Sequence, residues 1–349
     1  MKKNKYAPHE KEFGMPDSLH STTNADTHKI RRKPLASFFS KKEIASREAV
    51  IEKKVDLLCS HLDQIKGTGR VMELRLLYFC LASDILSEYA LPLGINFLGQ
   101  SSLVSAWRDV LIGGLRKFHY FKHFLFLWVI IKAIPHSVLL RASPDLKIRF
   151  DWEANNSKLA RKIIDSYSPD TKVPDQPSVF YPLLEADLPP AERTFERLWD
   201  EARALLGAGV ETMSNSLSVI TFHILSNVDI RNRLQRELKN AMPDWNQLGS
   251  LNQLEKLPYL TAVITEGLRK APGTTARFIR VTPYEDVYYQ RWRLPAGTAV
   301  SMSALLQHED AMVFPEPEKF LPDRWLGGDA EKVNLLTFSR GSRQCVGIK

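Results

Sequence analysis

The sequence has 349 residues, a net charge of +8, and 44% hydrophobic and 25% charged side chains, the balance of a core-forming chain of one large or two ordinary domains and not of a disordered one. Its three cysteines, Cys59, Cys80 and Cys345, are too few for a disulfide framework and point to a reducing compartment. The positive charge favours anionic surfaces such as lipid headgroups or an acidic protein, whereas the lack of basic runs interleaved with base-stacking aromatics argues against nucleic acid.

The chain opens Met1-Lys2-Lys3-Asn4-Lys5 with no apolar leader, and residues 1–24 are polar and read as a loop or a cut edge. His28 to Phe39 is basic; on a helix His28 and Arg32 share one face, which by itself describes a solvated basic surface. Ser40-Lys41-Lys42-Glu43 is a capping-box signature for a helix through Leu62, broken by Gly67 and Gly69. Val71 to Tyr89 predicts a buried apolar helix ended by Pro92 and Gly94. Ser101 to Phe118 predicts another helix.

Phe118 to Ile134 is rich in aromatics but interrupted by His119, Lys122, His123 and Lys132. Its uninterrupted part, Phe124 to Ile131, is far shorter than the ~20 residues of a spanning helix. Two readings stand: a buried connection between helices, or a shallow dip into a membrane interface with cations reaching the headgroups. Asp151 to Tyr167 predicts a helix with a charged outer face, and Pro169 to Pro190, with six prolines, a linker between helical blocks.

Ala191 to Asn227 is the longest helical pattern, about 50 Å at 1.5 Å per residue. Gly207 and Gly209 in its middle each cost about 0.5–1 kcal/mol relative to alanine. Either something flat approaches there, or another helix packs closely and Thr212 bonds back to a carbonyl. Glu211-Thr212 follows at once, inside an apolar stripe. Asp229 to Met242 is a charged amphipathic helix. Pro258 to Lys270 starts with proline in its first turn and carries Glu266 and Arg269 three apart, on one face.

From Gly273 the pattern changes to short strands, Phe278–Thr282, Val287–Tyr289 and Val300–Met302, separated by Pro283, Gln290-Arg291 and Pro295-Ala296-Gly297. This predicts a small sheet, entered by Arg277 and Arg280. An irregular stretch follows, in which His308 reads as structural. The stretch Phe338-Ser339-Arg340-Gly341-Ser342-Arg343-Gln344-Cys345-Val346-Gly347 sets one cysteine among glycines and arginines. Backbone N–H groups and close-approaching glycines would stabilise a thiolate there, and Arg343 would pair with a cofactor carboxylate. A glycine-rich turn with a buried free cysteine is the plainer alternative. No dinucleotide fingerprint, P-loop, paired-histidine zinc motif or Gly-x-Ser-x-Gly is present.

Four motifs in one order, Ala208-Gly209-Val210-Glu211-Thr212, Glu266-x-x-Arg269, Pro322-Asp323-Arg324 and Phe338-x-x-Gly341-x-Arg343-x-Cys345-x-Gly347, resemble the cytochrome P-450 superfamily. The nearest likeness is to fungal secondary-metabolism members of the trichodiene oxygenase kind. The resemblance implies a mainly α fold with a small β portion, incomplete at both termini. It implies one domain over residues 1–349: a helical core over about 27–270, a sheet and meander over about 273–335, and the cysteine loop over 338–347.

It implies heme b ligated by Cys345, whose thiolate favours O–O cleavage. Phe338, Gly341, Arg343 and Gly347 would shape that loop, with Ala208 and Gly209 against the haem and Arg280, Arg32 and His28 (where the family has tryptophan) on the propionates. Thr212 would hydrogen-bond dioxygen or its water, and Glu211 would relay protons. Glu266, Arg269 and Arg324 would form a buried structural cluster. Ala204, Leu205, Ala208, Thr275, Ala276 and Phe278 would line an apolar pocket. Dioxygen would be split between an apolar, terpenoid-like substrate and water, with electrons from NADPH through a flavoprotein reductase docked on the cysteine face.

The family implies the cytoplasmic face of the endoplasmic reticulum membrane, with peripheral contact through Phe118–Ile134. It also has a membrane-anchoring helix before His28 and a helix after the cysteine loop, whereas this chain stops at Lys349, four residues after Cys345. An inactive gene fragment is therefore the alternative expectation; a reductase-independent haem-thiolate isomerase or peroxygenase is a further one.

Overall fold

A computed structural model describes residues 3–11, 13–92, 94–100, 107–110, 113, 120–121, 123–170, 172, 178–244, 249–327 and 334–348. The predicted helix over 101–118 lies mostly outside these, although residues 107–110 are helical. Of the aromatic stretch, residues 118, 119 and 122 are outside.

The chain order is β1 (Asn4–Lys5), α1 (Ala25–Phe38), α2 (Lys41–Ala45), α3 (Glu48–Ile65), α4 (Leu74–Ala90), α5 (Phe126–Ala133), α6 (His136–Ala142), α7 (Leu146–Ser166) and α8 (Phe180–Glu185). It continues with α9 (Phe195–Ser226), α10 (Val228–Ala241), α11 (Leu251–Leu254), α12 (Pro258–Lys270), β2 (Phe278–Val281), β3 (Val287–Tyr289), β4 (Trp292–Leu294), β5 (Ala299–Met302) and α13 (Ala304–His308). The fold is mainly α with a small β portion, as expected.

Contacts divide the chain into two interleaved units. The first holds Met1–Phe38, Ser83–Gly209 and Phe278–Met302. Its fully buried apolar residues come from α1 (Leu35), α7 (Ala160), α8 (Phe180, Leu183) and α9 (Leu198, Ala202). Helix α8 corrects the reading of 169–190 as a plain linker. Phe180, Leu183 and Leu184 recur at helical spacing and are buried, and Pro182 is tolerated in a first turn, where no intrahelical N–H is needed.

The polar lead is likewise structured where described: β1 pairs antiparallel with β2, Asn4 opposite Val281 and Lys5 opposite Arg280. β2 then pairs with β5, and β3 with β4 forms a separate hairpin. Strand β4 went unread because turn residues crowd both its ends. Buried charges hold the lead further along. Glu201 and Asp200 of α9 accept the backbone N–H groups of Leu19 at 2.9 Å and Asp17 at 3.1 Å. Glu201 pairs with Arg197 at 2.6 Å, both about 2% exposed. Arg31 closes on Glu192 through two bonds of 2.6 and 3.0 Å.

The second unit holds Phe39–Ala82, Val210–Arg277 and Ser303–Lys349. Ser40 caps the short α2 by accepting the Glu43 N–H, but the helix predicted through Leu62 is interrupted at Ser46–Arg47. Bonds of the i−3 type, Arg47 N–H to Ile44 O at 3.0 Å and Ser46 Oγ to Glu43 O at 2.7 Å, tighten the end of α2. Neither residue is a helix breaker, so the sequence carries no signal for the break. Gly67 and Gly69, at φ +76° and +71°, end α3 in a conformation costly for other residues.

Helix α12 begins at Pro258, and its next two N–H groups donate to the Glu237 carboxylate of α10, both at 2.8 Å. A carboxylate at a helix N-terminus satisfies orphan donors and opposes the dipole. Ile230, Leu234, Tyr259, Val263 and Phe320 form the core between α10 and α12. Ala262, Phe314 and Trp325 form a second one.

Candidate functional site

The cysteine loop is built by backbone bonds. Ser339, at φ +59°, reverses the chain and donates its N–H to Leu336 O at 2.8 Å. A non-glycine residue there costs about 1–2 kcal/mol. Gly341 turns again at φ +77°, and a tight turn over Gly341–Arg343 closes with Gln344 N–H on Gly341 O at 3.0 Å. Cys345 N–H then donates to Phe338 O at 2.9 Å, so the motif's first aromatic and its cysteine are two ends of one hydrogen-bonded loop. Cys345 is exposed, which removes the alternative of a buried free cysteine. Phe338 and Arg343 are half-buried, and Gly341 and Gly347 are exposed. A Cβ added at either glycine meets nothing within 4 Å. Open space lies beside both.

The two central glycines have separate causes. A Cβ on Gly209 would lie 2.4 Å from Leu86 Cδ1 of α4, which is close helix–helix packing. At Gly207 a Cβ would meet nothing, and Gly207 and Ala208 are exposed in mid-helix. This bare patch suits a flat neighbour. Thr212 is approached by Gly273, where a Cβ would sit 3.0 Å from Thr212 Cγ2. The structure thus brings Thr212 to the start of the segment holding Thr275 and Ala276, both exposed. Glu211 forms an ion pair with Arg75 of α4. Arg75 and Gly273 escaped the sequence reading; an arginine opening an apolar helix was the available signal for the first.

The Glu266 cluster is buried and densely bonded. Glu266 is 0% and Arg269 1% exposed, joined by bonds of 2.7 and 2.9 Å. Glu266 also accepts Leu321 N–H at 2.9 Å, Trp325 Nε1 at 2.9 Å and Arg324 Nε at 3.3 Å. These bonds hold its carboxyl below the usual range although burial alone raises it. Arg269 donates onward to the carbonyls of His308 at 2.8 Å, Pro317 at 2.9 Å and Lys319 at 2.9 Å. The loop after α13 is thereby fastened to α12. Sequence reasoning found the three charges and missed Trp325 and the backbone partners.

The remaining expected residues lie in the first unit. His28 is 5% exposed, so the solvated basic face read for α1 does not extend to it, while Arg32 is half-buried. Arg280 is half-buried on β2, donates to Ile279 O at 3.0 Å and lies over the Phe278 ring; burial lowers its pKa. Ala204 is buried, Leu205 and Phe278 half-buried. In the aromatic stretch Tyr120, Phe124, Phe126, Val129 and Ile130 are exposed, which corrects the buried-connection reading. Phe121 and Trp128 stack at 4.4 Å beneath them. No helix among the described residues is long and apolar enough to cross a membrane.

The donor set of the second unit fits a haem. An exposed cysteine stands on a loop closed by backbone bonds, and a half-buried arginine two residues earlier can meet a propionate. A family model described as Cytochrome P450 matches residues 2–349. The chain is 35% identical over 97% of its length to a cytochrome P450 monooxygenase, MO6277, of Ascocoryne sarcoides, covering 68% of that protein. It is 32% identical over 94% of its length to the fusicoccadiene C-8 hydroxylase of Phomopsis amygdali, covering 64%, and 31% identical over 96% to the N-acetyltryptophan 6-hydroxylase of Emericella nidulans, covering 67%. The chain therefore spans about two thirds of the length of these fungal relatives. With the motif order, the exposed thiol and a match along its whole length, the chain belongs to the cytochrome P450 family.

Proposed function

We propose that this chain has the activity of a haem-thiolate monooxygenase of fungal secondary metabolism. It would convert an apolar substrate RH, dioxygen, NADPH and a proton to ROH, water and NADP⁺, with a flavoprotein reductase delivering the electrons. The observation that carries the reading is the exposed Cys345 sulfur on a loop closed by the Cys345–Phe338 bond.

When bound, haem supplies the iron at which dioxygen is activated. The chain's own residues supply the rest. Cys345 is the thiolate ligand, and Arg343, Arg280, Arg32 and His28 neutralise the propionates. Thr212 donates its hydroxyl proton toward the oxygen site. Glu211 takes up protons from solvent at its half-buried carboxylate, which Arg75 orients. Leu205, Ala208, Thr275, Ala276 and Phe278 offer mostly apolar surface, which suits a terpenoid more than a charged molecule. The exposed aromatic and aliphatic residues of 120–130 support peripheral contact with a membrane interface, on the cytoplasmic face of the endoplasmic reticulum.

The test is spectral. The chain is loaded with haem, reduced and exposed to carbon monoxide; a red-shifted thiolate Soret band and reductase-dependent NADPH oxidation with an apolar substrate are expected. Failure to retain haem would make the chain an inactive fragment. A thiolate band with turnover independent of reductase would make it an isomerase or peroxygenase.

A further inference from the structure

We propose that His308 is a positioning residue for Cys345, holding the stem of the ligand loop through an imidazole nitrogen that must remain a hydrogen-bond acceptor. The inference rests on the haem-thiolate reading and extends it to a residue outside the four motifs.

His308 ends α13 and is 1% exposed. Its carbonyl accepts Arg269 Nη1 at 2.8 Å. Its ring reaches the other way, and Nε2 accepts the backbone N–H of Leu336 at 2.9 Å. One residue thus joins the buried Glu266–Arg269 pair to the irregular segment that enters the cysteine loop. The next residue, Thr337, is tied to α12 through its Oγ1 on Leu268 O at 2.7 Å. Leu336 O and Phe338 O then receive the Ser339 and Cys345 N–H groups. A displaced stem would move the sulfur with it.

With Nε2 as acceptor, a neutral ring carries its proton on Nδ1. Nδ1 is buried without a hydrogen-bond partner among the described residues, and Phe314 lies edge-on to the ring at 5.9 Å. A buried donor left unpaired is a cost that a leucine at this position would not carry. The leucine would, however, strand the Leu336 N–H. The cost is therefore borne for the Nε2 contact. Burial also keeps the ring neutral, with its pKa lowered to about 4, so the acceptor is present at physiological pH.

The test compares His308→Gln, whose Oε1 reaches the place of Nε2, with His308→Asn and His308→Leu, which do not reach it. In the haem-loaded full chain, the Gln variant should keep the thiolate–carbon monoxide Soret band within about twofold of the wild-type lifetime. The Asn and Leu variants should lose it at least tenfold faster to the shorter-wavelength band of a displaced thiolate. In the haem-free full chain, hydrogen exchange at Leu336 should be at least tenfold faster in Asn and Leu than in wild type and Gln. Equal band lifetimes and exchange in all four proteins overturn the proposal. So does a Gln variant no better than Leu, because the role would then be simple space-filling. A wild-type chain with no thiolate band overturns the haem reading alone, and the exchange comparison still decides the His308–Leu336 contact.

Discussion

Glu266→Gln removes one charge and almost no volume from a side chain that is 0% exposed. The carboxylate accepts five bonds, from Arg269 Nε and Nη2, Arg324 Nε, Trp325 Nε1 and Leu321 N–H. An amide presents one acceptor oxygen, so its NH₂ would face donors it cannot satisfy. Breaking a buried ion pair by removing one partner costs about 3–5 kcal/mol, because the other charge is left uncompensated. Summing five charge-assisted bonds would overshoot, since the bonds are coupled and the desolvation is shared. Total stability of a domain is about 5–15 kcal/mol. The substitution should therefore take about a fifth of it or more.

Arg324→Met should cost less, about 1–2 kcal/mol, because Arg324 is 10% exposed and meets Glu266 through one 3.3 Å bond. Urea unfolding followed by tryptophan fluorescence is a suitable assay, since Trp325 is bonded directly to Glu266. A midpoint shift worth less than 1 kcal/mol for Glu266→Gln, or one no larger than for Arg324→Met, would refute the account of this cluster as the fastening of the second unit.

Four further outcomes are expected. Cys345→Ala should abolish the thiolate Soret band in the haem-loaded chain; a persisting band would reject Cys345 as ligand. Gly209→Ala should destabilise by about 1–3 kcal/mol, because its Cβ would overlap Leu86. Gly207→Ala, with open space around it, should stabilise the haem-free chain by about 0.5–1 kcal/mol, and a thermal melt separates the two signs. Stability should also fall on acidification. His308 has its folded pKa lowered to about 4 from an ordinary 6.5, so its contribution, about 3 kcal/mol, is full above 6.5 and is lost as pH falls toward 4. Arg269 and Glu266 are the charged groups acting on this ring, and Glu266, itself lowered, loses its contribution at still lower pH. Glu201 in the first unit, raised by burial, runs the opposite way. Denaturant midpoints between pH 7 and 4 should be flatter for His308→Gln; identical slopes would discount the histidine.

Local order was readable from residues alone wherever a pattern was periodic and its ends were marked. Pro258 to Lys270 was bounded to the residue, because proline suits a first turn and the apolar face recurs at helical spacing. Val287–Tyr289 was likewise exact, bracketed by turn residues. The cysteine motif, the Glu-x-x-Arg pair and the Ala-Gly-x-Glu-Thr run were visible because their chemistry depends on spacing along one element or one loop.

Contacts between distant parts of the chain were not readable, since no local pattern records them. Nothing in Asn4-Lys5 announces a partner at Arg280-Val281, and nothing in Gly207 and Gly209 tells which one faces open space and which faces Leu86. Glycine reports that a side chain is unaffordable or unneeded, and only the neighbour's position separates those cases. The sequence by itself determined the longer periodic elements, the family and the cysteine expected as ligand. Tertiary structure decided that this sulfur is exposed, that Arg75 meets Glu211, and that a buried histidine ties the Glu266 cluster to the loop bearing Cys345. Those facts depend on which surfaces exclude water together, a property of packed elements and not of any one stretch of chain.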